Sequence, residues 1–206
     1  MPHPTAVVYV FVLQSIMRLA IARAISIVGH PVVIVPAAVL IVASTRGASL
    51  RQLWLVGAAF ATTGGVVIGF SWFQVRSGRW SHVDASARSE RYLLNILLAT
   101  ICASVAPMLW FVTRKLSLAL GFALAAALVV MALLLMKWVN ASLHVAFAAF
   151  ATVFLWPNRL AVAAGVLFIA ALVWSRLVLG RHVAADIATG LLLGAAAGSA
   201  YHMLVV

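Results

Sequence analysis

Leu116-Ser-Leu-Ala-Leu-Gly-Phe-Ala-Leu-Ala-Ala-Ala-Leu-Val-Val-Met-Ala-Leu-Leu-Leu-Met136 contains no ionisable side chain and is closed by Arg114-Lys115 on one side and Lys137 on the other. At about 1.5 Å of rise per residue, a helix over this stretch reaches about 30 Å, the thickness of a bilayer's hydrocarbon core. Water offers no stable home for such a surface, so the stretch reads as a transmembrane helix. The rest of the chain repeats the pattern. Apolar runs cover Ile25 to Ala43, Leu53 to Phe73, Tyr92 to Val112, Leu143 to Trp156, Leu160 to Trp174 and Ile187 to about Val205. With Leu116 to Met136 they give seven candidate crossings, or six if one is re-entrant. The two flanking Pro157-Asn158-Arg159 are short and read as a helical hairpin. The expected fold is an all-α, multi-pass transmembrane bundle, forming a single membrane-embedded domain over residues 1–206.

Composition supports the same reading. Of the 206 residues 66% are hydrophobic and 8% charged, against about half and about a quarter in soluble domains. The net charge of +11 reflects only three carboxylates, Asp84, Glu90 and Asp186. No basic soluble domain exists to carry nucleic acid, so anionic lipid or an anionic substrate is the expected partner. Cys102 is the single cysteine and sits in an apolar run, which excludes an internal disulfide. Ala6 to Met17 lacks the basic lead and cleavage site of a signal peptide. Residues 1–24 read as an interfacial or partly inserted segment.

Alternating the crossings places the polar stretches 74–91, 137–144 and 175–186 on one face, and all three carboxylates fall within them. Ionisable groups at membrane level are costly and are functional candidates by default. The positive-inside rule does not orient the chain: with Arg88, Arg91, Lys137 and Arg176 set aside for substrate, the remaining Lys and Arg divide evenly. Tryptophans 54, 72, 80, 138, 156 and 174 lie near span ends, as an aromatic belt would place them. Gly190, Gly194 and Gly198 form a small-residue ladder suited to close helix packing, read as packing within the chain with dimerisation as the alternative.

The chemistry concentrates in Ser175-Arg176-x5-His182-x3-Asp186. A helix beginning near His182 would stack Asp186 on it, because residues four apart share a face. The carboxylate would then fix one ring nitrogen and leave the other as base or nucleophile. Arg176 offers a planar fork to phosphate oxygens. The plainer alternative is that Asp186 neutralises Arg181 or caps a helix. Upstream, Ala141-Ser142-Leu143-His144 supplies a hydroxyl and a second imidazole, with Lys137 and Asn140 nearby as donors. The segment from His82 to Arg91 adds Arg88 and Arg91, with Asp84 and Glu90 available to hold them.

The first string, with Gly180 before it and Ala188-Thr189-Gly190 after, resembles the third signature of the type 2 phosphatidic acid phosphatase superfamily, the lipid phosphate phosphatase and haloperoxidase group. Ala141-Ser142-Leu143-His144 is similar to its second signature, Pro-Ser-Gly-His, with proline and glycine replaced. The Arg88–Arg91 segment departs furthest from the first signature: it lacks the lysine, and Tyr92 stands where proline belongs. The resemblance implies that His182 is the nucleophile, Asp186 its orienter and His144 the acid for the leaving oxygen. It implies phosphate binding by Arg176, Ser142, Arg91, Arg88 and Lys137. It further implies a phosphatase of the cell membrane acting on a lipid phosphate monoester or diphosphate through a phosphohistidine, with no cofactor. A metal site is not expected, because carboxylates are few and histidines scattered. The alternatives are a phosphotransferase using the same histidine, or a non-catalytic transporter or anionic-lipid-binding protein. His30, beside Pro31, reads as a packed or interfacial residue. His82 has a lesser claim on the site, and His3 and His202 carry no signal.

Overall fold

The computed structural model describes residues 4–45, 47–83, 85 and 87–205, with side chains from Leu13 onward. Eight helices follow one another among the described residues: α1 (Pro4–Val28), α2 (Pro31–Thr45), α3 (Leu50–Arg76), α4 (Arg88–Thr113), α5 (Leu116–Leu135), α6 (Leu143–Phe154), α7 (Arg159–Val178) and α8 (Ala184–Val205). Among the described residues there is no strand. Among the described residues five helices, α3, α4, α5, α7 and α8, are long and apolar enough to cross a membrane. Only 17–39% of the residues in their apolar windows are buried by protein, which leaves the remaining apolar surface to lipid. The chain is an all-helical integral membrane protein.

Among the described residues the candidate crossings number five, or six if one bent pair counts as a single span, so the lower of the two expected counts is the one that fits. Two physical features account for the difference. The run expected from Ile25 to Ala43 breaks at Gly29-His30, where α1 and α2 meet at a bend of 51°. Helix α6 has 12 residues, about 18 Å of rise against the roughly 30 Å of the hydrocarbon core. Every side chain from His144 to Thr152 is buried. α6 is therefore the inner post of the bundle, packed against α2, α7 and α8, while α4 pairs with α5 and α1 with α7.

The glycine ladder explains how α6 and α8 come so close. A Cβ on Gly194 would overlap the Ala146 carbonyl oxygen, and one on Gly190 would lie 2.7 Å from that of Ser142. A Cβ on Gly198 would lie 2.6 Å from Val153. The ladder thus packs within the chain. The expected hairpin of α6 and α7 also forms, with Asn158 Oδ1 accepting from the Ala161 amide at 3.0 Å to cap α7. Trp54, Trp138 and Trp156 are exposed as a belt requires, whereas Trp80 is buried with its ring 5.7 Å from Phe70.

Candidate functional site

The two loops that carry the motif residues are pinned by one carboxylate. Asp186 stands in the first turn of α8, where Oδ2 accepts from the Val183 amide at 3.3 Å, so it does cap the helix. The same oxygen lies 3.3 Å from His182 Nδ1. Its other oxygen accepts from the Asn140 amide at 3.0 Å, and its main-chain carbonyl accepts from the Ser142 amide at 3.0 Å. Residues 46 apart in sequence are locked together, and His144 follows in the first turn of α6.

His182 itself lies in the loop before Ala184 rather than on α8, yet its ring still meets Asp186. An ionised carboxylate only accepts, so Nδ1–H is the donor and Nε2 is left with its lone pair outward. Burial holds the His182 pKa below the ordinary 6.5, and Arg176 and Arg91 push the same way, while Asp186 partly opposes them. The ring is neutral at neutral pH.

α7 runs on to Val178, so Ser175 and Arg176 belong to its last turn instead of a loop. Both are buried and anchor α7 to α1: Ser175 Oγ donates to the Ala22 carbonyl at 2.6 Å, and Arg176 Nη1 donates to Ser26 Oγ at 2.8 Å. Anchored this way, Arg176 lines a cavity of about 340 Å³ together with His144, His182, Arg91 and Asn140. Arg181 and His30 also border it. The cavity then continues between α2, α3, α4 and α5 along apolar walls that include Val35, Phe60, Leu98, Phe122 and Leu109. One end is cationic and rich in imidazole; the body is largely hydrocarbon, with Thr63, Asn95 and Ser117 among its lining.

Comparisons with protein-family models, with curated proteins and with solved structures return no match.

Three of the expected phosphate ligands stand apart from the cavity wall. Arg88 donates to the Met136 carbonyl, an acceptor left over at the end of α5. Lys137 is exposed, with Nζ 5.8 Å from the Trp138 ring centre. Ser142 is fully buried behind the lining, and its Oγ has no hydrogen-bond partner among the described residues. Arg91 does reach the cavity, and its Nε is buried without a partner among the described residues. Glu90 Oε2 accepts from the Ala87 amide at 2.9 Å and so fixes the start of α4; Asp84, Arg46 and His3 lie outside the described residues. His82 is exposed, and His202 Nε2 lies 2.8 Å from the Val153 carbonyl at the other end of the bundle. Among the described residues, no group of three or more His, Cys, Asp or Glu could hold a metal ion.

Sequence reading missed Ser26 and His30 as neighbours of the site. Both lie in or beside α1, more than 110 residues from the side chains they meet, and no spacing rule joins them.

Proposed function

We propose that this chain is a multi-pass phosphatase of the cell membrane that hydrolyses a lipid phosphate monoester or diphosphate through a phosphohistidine on His182. The observation that carries this reading is the convergence of His182, His144 and Arg176 on one cavity with a cationic end and an apolar body. A phosphate attached to a hydrocarbon chain matches both parts. The similarity of residues 175–190 to the third signature of the type 2 phosphatidic acid phosphatases supports the same chemistry.

In this reading each group takes a role that its surroundings support. Arg176 and Arg91 collect the phosphate oxygens and the charge that builds on them during transfer. The α6 N-terminus, with Asn140 beside it, adds the positive end of a helix dipole. His182 Nε2 attacks phosphorus while the bond to the lipid oxygen breaks. His144, which takes up a proton as the phosphate dianion binds beside it, delivers that proton to the oxygen, and the alcohol, or a lipid monophosphate in the case of a diphosphate, departs. Water then attacks the phosphohistidine, giving a proton to His144, and inorganic phosphate leaves as the N–P bond breaks. Asp186 holds His182 in the required tautomer throughout.

The test is phosphate release by the purified protein from a panel of phosphatidic acid, phosphatidylglycerophosphate and polyprenyl diphosphate, alongside His182→Ala. We expect release from at least one lipid, with loss of about 10³-fold or more in the variant. Turnover that survives His182→Ala would refute the mechanism.

A further inference from the structure

Between α1 and α2 the chain breaks at Gly29-His30, and the break is held from two sides. On α7, Leu172 lies so close that a Cβ on Gly29 would be 2.5 Å from its Cδ1. On α2, the Val32 amide donates to His30 Nδ1 at 3.3 Å, with Pro31 as first helical residue. That is an N-cap made by an imidazole in place of the usual small polar side chain. The cap has a chemical consequence: Nδ1 accepts, so the proton of the neutral ring sits on Nε2 and the ring plane is fixed.

The fixed ring faces His144. The two ring centres are 5.0 Å apart and the planes are perpendicular, an edge-to-face arrangement of the preferred kind. Both rings border the cavity that also holds His182 and Arg176. An acid must present one ring nitrogen to the leaving oxygen within hydrogen-bond reach, and a histidine at the start of a helix can turn about its outer torsion. The His30 ring closes off part of that rotation. A small capping residue such as Asn would serve α2 equally well but would leave His144 without its wall.

We propose that His30 is a positioning residue for the site, holding the His144 ring in the orientation from which it protonates the leaving oxygen. The role rests on the phosphatase reading above. In the step concerned the P–O bond to the lipid alcohol breaks, and the proton on His144 moves to that oxygen. His30 exchanges no proton with the substrate.

Leaving-group dependence separates this role from simple capping. Turnover of a long-chain alkyl phosphate, whose alkoxide needs a proton, is compared with that of p-nitrophenyl phosphate, whose phenolate does not. The proteins are wild type, His30→Asn, His144→Ala and the double variant. His30→Asn keeps an acceptor for the Val32 amide. We expect it to lower kcat on the alkyl phosphate by about tenfold and on p-nitrophenyl phosphate by no more than about twofold. The double variant should be no slower than His144→Ala alone, because the two residues act as one unit. Three results overturn the role: full activity of His30→Asn on the alkyl phosphate, equal loss on both substrates, or additive losses in the double variant. A wild-type protein inactive on both substrates removes the phosphatase reading, and this role with it.

Discussion

The two ends of the bundle use their polar residues differently. At the end opposite the candidate site, Ser49 and Gln52 cap α3 reciprocally, Asn158 caps α7, and Thr113 Oγ1 donates to the Leu109 carbonyl at 2.6 Å. These bonds join residues three or four apart and satisfy helix ends. The cavity there measures about 160 Å³ and is bordered by Gln52, Lys115, Ser117 and Tyr201, without a histidine or carboxylate. Even the long-range bond of His202 to the Val153 carbonyl serves the terminus of α6. At the site end the polar bonds connect distant segments: Arg176 to Ser26, Asp186 to Asn140 and Ser142, and His30 against His144. Local capping costs a membrane protein nothing extra. Gathering buried arginine and histidine around a cavity carries a desolvation penalty that folding does not require. The contrast separates structure from site.

The largest effect that would sharpen this contrast is on charge. Arg176→Ala should lower kcat/KM on the lipid phosphate by about 10³-fold, as the loss of one preorganised donor to a developing charge does. Arg159→Ala at the opposite end and Lys137→Ala outside the cavity should stay within about threefold of wild type. Similar losses at all three positions would erase the distinction between the ends.

A smaller effect is expected at the carboxylate. Asp186→Asn should cost about 10²-fold in kcat, with membrane insertion intact because an amide oxygen can still accept from Asn140. The pH profile gives the sign. His182 must be neutral to attack, and its pKa lies below 6.5 because burial and then Arg176 disfavour the cation. The acid limb of kcat/KM due to His182 therefore falls below pH 6.5. Asp186 raises that pKa, so Asp186→Asn should move the limb to still lower pH. A shift upward would mean that Asp186 does not act on His182.

Packing should show the least effect on chemistry and a clear one on stability. Gly194→Ala drives a methyl group into the Ala146 carbonyl and should lower thermal stability in detergent by about 1–3 kcal/mol. Gly57→Ala has nothing within 4 Å and should be close to neutral. Equal stabilities would argue against the tight α6–α8 contact that brings Ser142 beneath Asp186.

Much of this architecture was legible in apolar runs, because a bilayer imposes one length on every crossing. The count was less so. Hydrophobicity cannot tell the 12-residue α6, enclosed by protein on all sides, from a short crossing in lipid. It also does not register the break at Gly29-His30, where a glycine packed against Leu172 is followed by Pro31 as the first residue of α2. At the site, His182 and Asp186 could be paired from their spacing, although the contact is made from the loop before α8, where the carboxylate that caps the helix also meets the ring. Arg88 and Lys137 could not be placed, because spacing near a helix end does not say which way a long side chain turns. Arg88 finds an orphan carbonyl of α5, an acceptor that no sequence pattern displays. His30 had the opposite fate: a residue read as packing lies against the acid of the proposed reaction.

The most direct measurement is of the covalent intermediate. Protein turning over a radiolabelled lipid phosphate is quenched in base, where phosphohistidine survives, and the labelled peptide is identified. Label is expected on His182 alone, present in wild type and absent in His182→Ala. Release of phosphate with no label on His182, or with label on another residue, would contradict it.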